Sequence, residues 1–200
     1  MTAIEAKATS SETCNDEFFN SLNSVVQLFT AHSVCVDEKA ALAAFDAIPI
    51  QSESQRKWVT YWKAKVLLAV VANINGELIR MGSTGRAAKA RKYVRCESKA
   101  IRMLEQLIPS CFESVPEHER ELVLGAMLKL GQLYGCWKGT DLICRVAAHA
   151  RYHNSPLRKE AEKTYREFCE LTLKYTFEGL ENSYKEIASL EDDREEGDAA

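Results

Sequence analysis

Four side chains of the kinds that hold zinc stand close together in this sequence: Cys136, Cys144, His149 and His153. The two histidines are four residues apart, which stacks their imidazoles along one side of a helix. Zinc sites usually bring cysteines in pairs, two to four residues apart on a turn, whereas Cys136 and Cys144 fall in separate expected helices. The spacing therefore predicts no metal site and no cofactor. Cys96, Cys111 and Cys169 are nucleophiles by type, yet no GxSxG, HExxH, Walker or dinucleotide pattern accompanies them. A cysteine in a helical chain usually serves as a small buried hydrophobe. No catalytic residue is assigned, and the chain is not expected to be an enzyme.

A second group is cationic. Arg86, Lys89, Arg91, Lys92, Arg95, Lys99 and Arg102 crowd one stretch of a chain whose formal net charge is -3. On a helix advancing about 100° per residue, with Lys89 at zero, Tyr93, Ala100, Ile101, Leu104, Leu107 and Ile108 fall between roughly 0° and 120°. Arg91, Lys92, Arg95, Lys99 and Arg102 fall between roughly 200° and 300° on the same wheel. A helix over 86–108 thus carries a cationic stripe opposite its apolar face. Three readings are open: a solvated helix side, a docking surface for an acidic protein segment (this chain's own acidic end included), and a phosphate-binding surface for nucleic acid. Five aligned cations can neutralise several phosphates, but no aromatic interleaving or base-reading motif comes with them. The preceding GSTG, residues 82–85, lacks the P-loop pattern and follows a helix, so it is expected to be an inter-helix loop. Glu97 lands at about 80°, among the apolar residues, so either a cation from a neighbouring helix pairs with it or that turn is more open than the wheel implies.

The elements that must position these groups are all helical, because apolar residues recur at steps of three and four and alternate nowhere for long. Asp16 is the expected cap of a first helix and Asp37 of a short second one ending before Pro49. A third helix is expected from Ser52 or Ser54 to about Met81, apolar around most of its circumference and hence surrounded by others. The fourth should close at Pro109, and the fifth should start at Pro116 and end at Gly139. A sixth runs from about Asp141 to His153. Ser155 and Pro156 then open a long last helix, on which Leu173, Phe177, Leu180, Tyr184 and Ile187 form a heptad-like seam. The fold class is all-α, a single bundle of about seven helices. Residues 1–15 are expected to be a flexible tail, 16–190 the helical domain, and 191–200 an acidic disordered tail.

Leu130, Gly131 and Tyr134 in the run LGQLY, followed by a second short helix and Pro156, resemble a tetratricopeptide repeat over residues 124–156. Ile143 and Ala147 depart from that pattern, and no second copy recurs at a 34-residue period. The resemblance implies a helical hairpin suited to holding a protein.

Seven cysteines, an odd number without a CxxC pair, fit free thiols in a reducing compartment, and the longest apolar run is too short to cross a membrane. The expected function is a non-catalytic helical interaction module, an adaptor or complex subunit of the cytoplasm or nucleus. The alternative is nonspecific RNA or DNA binding. The residues that would carry either are Arg86, Lys89, Arg91, Lys92, Arg95, Lys99 and Arg102.

Overall fold

In a computed structural model the backbone is described for residues 3–30, 37–82 and 85–197. Among them every regular element is helical: α1 (Ala3–Thr30), α2 (Glu38–Asp46), α3 (Glu53–Arg80), α4 (Arg86–Glu105), α5 (Arg120–Tyr152) and α6 (Arg158–Gly197). Two short 3-10 turns, Phe112–Ser114 and Glu117–Glu119, lie between α4 and α5. Counting the sharp break inside α5, this makes seven α-helical pieces. The chain groups into two compact units, Met1–Ala126 and Met127–Ala200, and the division falls within α5.

In the first unit α3 is contacted by α1, α2 and α4, as its all-round apolar pattern predicts. Phe18 and Leu22 of α1, Ala41 and Phe45 of α2, and Val59 and Val66 of α3 are buried in one cluster with Ile48. Trp58 and Trp62 pack against it half-buried, and the Lys65 ammonium sits 4.3 Å from the Trp62 ring centre. The caps follow the sequence. Asp37 accepts a hydrogen bond from the Lys39 amide (2.9 Å), and Ser52 Oγ accepts one from the Gln55 amide (3.2 Å), each satisfying an amide that the first helical turn leaves without a carbonyl.

Several boundaries differ from expectation. α1 reaches back to Ala3, so Asp16 is an exposed position inside it and caps nothing. No glycine or proline interrupts AIEAKATSSETCND, which leaves nothing to stop the helix there. For the same reason α6 continues past residue 190 to Gly197. The side chains of residues 3–15, 177 and 179–197 are outside the described set, and with them Phe177, Leu180, Tyr184 and Ile187 of the seam. Pro116 precedes a 3-10 turn, and α5 itself begins at Arg120.

The second unit depends on two turns. Gly135 takes φ 75°, ψ −175°, a conformation open essentially to glycine alone, and breaks α5 into limbs of residues 120–134 and 136–152. A Cβ placed on Gly139 would lie 2.0 Å from the Gly131 carbonyl oxygen. Eight residues of straight helix span about 12 Å, so this closeness requires the bend at Gly135. The helix therefore breaks four residues earlier than Gly139, which stays helical because the two limbs need a residue without a side chain where they cross. At the far end of α5 the Ser155 amide donates to the Ala150 carbonyl (2.8 Å) and the Asn154 amide to the Arg151 carbonyl (3.3 Å), with Asn154 left-handed at φ 53°. This Schellman closure satisfies the last carbonyls of α5. Ser155, buried, then accepts from the Leu157 amide at the entrance to α6 (3.1 Å). Lys129 to Glu160 (3.1 Å) and Gln132 to Thr164 (3.4 Å) tie the first limb of α5 to α6.

Candidate functional site

α4 is amphipathic in the sense expected. Cys96, Ala100 and Leu104 are buried against the rest of the first unit, together with Leu107 just beyond the helix, and α3 is its main neighbour. The helix ends at Glu105, ahead of the expected Ile108, and Leu107 continues in a tight turn whose amide donates to the Leu104 carbonyl (3.0 Å). At its start Gly85 is left-handed at φ 76° with no side-chain cap; Ser83 and Thr84 of the GSTG segment lie outside the described residues.

The seven cations divide into two sets. Lys89, half-buried, forms an ion pair with Glu77 of α3. Arg95 Nη2 lies 3.0 Å from Glu38 Oε2 of α2, and Lys92 Nζ lies 4.0 Å from the same oxygen. Glu38 is a hub, its side chain only 12% exposed. The hydrogen bond and charge of Lys89 hold the Glu77 carboxyl below the ordinary carboxylate range, and Glu38's charge raises the already high pKa of Arg95. Arg86, Arg91, Lys99 and Arg102 are exposed and form no ion pair with any described residue. Arg91, Arg95 and Arg102 surround a shallow depression with Ala90, Ser98 and Val94, the last 58% exposed. The stripe is thus part internal cement and part outward surface. Sequence reasoning missed Glu38 and Glu77, which lie 57 and 12 residues from their partners. It also missed Val94, an apolar side chain standing among the outward arginines.

Glu97 finds its partner on its own helix. The Tyr93 hydroxyl donates to Glu97 Oε1 at 3.0 Å, and no neighbouring cation pairs with it among the described residues. A half-buried position lets water share the solvation, so one phenol suffices where full burial would demand a cation. Burial first, then Glu97, raises the Tyr93 pKa.

The described members of the zinc-type group, Cys144, His149 and His153, form no metal-holding cluster. Among the described residues no group of three histidine, cysteine or acidic side chains could hold a metal ion; the Cys136 side chain lies outside that set. His149 and His153 stack with ring centres 6.4 Å apart. Cys96 is fully buried, and burial pushes its thiol pKa up, against the activation a nucleophile needs. Cys111 is exposed and donates to Glu113 at 3.0 Å. No protein-family model matches the chain, and no curated protein or solved structure does either. No helix among the described residues is long and apolar enough to cross a membrane.

Proposed function

We propose that the protein is a non-catalytic helical interaction module, an adaptor or subunit of a larger complex in the cytoplasm or nucleus, that engages an acidic protein segment through the outward face of α4. One observation carries this reading. Lys89, Lys92 and Arg95 are bound to the protein's own acids, while Arg86, Arg91, Lys99 and Arg102 stay exposed, and two of these, Arg91 and Arg102, border the depression that holds the exposed Val94. An apolar side chain flanked by free guanidinium groups suits a partner helix or strand with carboxylates beside a hydrophobic residue. Arginine stems can cover that residue while their forked heads take the carboxylates. The sharply bent α5, with Leu130, Gly131 and Tyr134 on its first limb, supports a tetratricopeptide-like hairpin in the same protein.

Nonspecific RNA or DNA binding is the second reading, and the same free cations favour it. Tethering of Lys92 and Arg95 to Glu38 leaves Arg91, Lys99 and Arg102 of the five-cation stripe free for phosphates, so the salt dependence should be shallow. Fluorescence anisotropy with a labelled oligonucleotide at two salt concentrations separates the readings. The interaction-module reading expects no saturable binding even at low salt. Saturable binding abolished by Arg91→Glu with Arg102→Glu would install the alternative.

A further inference from the structure

The second unit has a cationic groove that the residues above leave unused. It lies between the second limb of α5 and the first turns of α6, has a volume of about 450 Å³, and is lined by Cys144, Ala147, Ala148, Arg151, Arg158, Glu162, Tyr165 and Arg166. Three arginines thus face one acid. Arg158 Nε donates to Glu162 Oε1 at 2.9 Å, and Arg166 Nε donates to the Glu162 backbone carbonyl at 3.4 Å. Both guanidinium groups are therefore held at their Nε ends, and neither bond uses the terminal nitrogens that form the two-pronged fork. Arg151, Arg158 and Arg166 line the same groove as Glu162, whose carboxyl pKa is lowered mainly by the Arg158 hydrogen bond, with charge from Arg151 and Arg166 adding to it. The Schellman turn at Asn154 and the Ser155 cap fix the spacing between Arg151 and Arg158. Cys144 of α5 and Tyr165 of α6 both line the groove, and Cys169, with Cys144, raises the Tyr165 phenol pKa.

We propose that this groove binds a small phosphate monoester, with Arg151, Arg158 and Arg166 holding the phosphoryl oxygens and Ala147, Ala148 and the Tyr165 ring receiving the ester's carbon body. The charge matches. Three guanidinium groups less one carboxylate leave a surplus of two positive charges, and a phosphate monoester carries roughly −1.5 to −2 near neutral pH. The planar arginine fork suits phosphoryl oxygens in pairs, and a space of this size lies within the range of small-molecule sites. The assignment is independent of the α4 surface, whose residues are all in the other unit.

Cys144 is exposed and lines the groove, so it reports occupancy directly. The full chain is alkylated with iodoacetamide at pH 7.5 and low salt, and the rate at Cys144 is followed by peptide mass spectrometry. Exposed Cys111, in the first unit, is the internal control. Phenyl phosphate is expected to slow Cys144 alkylation at least fivefold and to leave Cys111 unchanged, at concentrations lower than inorganic phosphate requires. In R151A/R166A, whose helicity and melting temperature should match wild type because both positions are exposed, the protection should vanish. R151K/R166K should keep part of it, since lysine supplies charge without the fork. The proposal is overturned by an unchanged Cys144 rate, by equal slowing at Cys111, by protection that survives R151A/R166A, or by inorganic phosphate protecting as well as the ester.

Discussion

Glu119 is the most consequential single ionisable side chain in the first unit. It is 4% exposed, and Lys57 Nζ lies 2.7 Å from its Oε2. Burial pushes its carboxyl pKa up, but the hydrogen bonds from Lys57 and Ser54 and the Lys57 charge outweigh burial, and the net shift is downward. A carboxyl whose pKa is lower folded than unfolded stabilises the fold above its unfolded value, 4.5 here, and that contribution disappears as pH falls through the folded value. Chemical denaturation from pH 7 to pH 3 should therefore show a shallower acid loss in Glu119→Gln than in wild type; identical profiles would contradict the assignment. Lys57→Ala leaves the buried carboxylate with the Ser54 hydrogen bond but without its paired ammonium, and should cost about 1–3 kcal/mol at pH 7. Tyr93→Phe, which removes the only described partner of Glu97, should cost about 0.5–1.5 kcal/mol in the same measurement.

At the scale of elements, the second unit depends on the bend in α5. Gly135→Ala forces a side chain into a glycine-only conformation and should destabilise by about 1–3 kcal/mol, read as a lower urea midpoint. Gly139→Ala should do more damage, because the obstructing atom is the Gly131 backbone carbonyl, which cannot swing aside as a side chain can. If Gly139→Ala were the milder of the two, the crossing of the limbs would be drawn wrongly. Much of this level was legible in residues alone. Asp37 and Ser52 announce their helices by side-chain chemistry local to the cap, and the all-round apolar pattern of α3 announces its central place. The choice between Gly135 and Gly139 was not legible, since both are glycines in the same short stretch and only a dihedral angle tells the bend from the crossing. Glu97 and Tyr93 stand one helical turn apart, a spacing visible in sequence; of the two expectations, a cation for a buried carboxylate or a more open turn, the half-buried position fits the second. The arginine groove had a partial signal in Arg158, Glu162 and Arg166 at successive steps of four. Arg151 joins them only through the turn at Asn154, and no pattern of residue types reveals that closure.

At the scale of the whole molecule, a slightly acidic protein presents its positive charge in patches. On α4 the wheel correctly sorted cationic from apolar residues, but it could not show which cations were already occupied, because Glu38 and Glu77 belong to other helices. That division decides what charge reversal should do. Replacing Lys89 by Glu breaks a solvent-facing pair to Glu77, and pairs shared with water contribute little, so both fold and binding should survive. Replacing the outward set removes the surface a partner would touch while breaking no described ion pair. The most direct test is a quantitative affinity capture with mass spectrometry, comparing wild type, Lys89→Glu, and the triple variant Arg91→Glu, Lys99→Glu, Arg102→Glu, each checked for equal helicity. The expected result is a set of acidic partners retained by Lys89→Glu and lost by the triple variant. A partner list identical across all three proteins would contradict the proposal and leave the outer face of α4 as solvated surface.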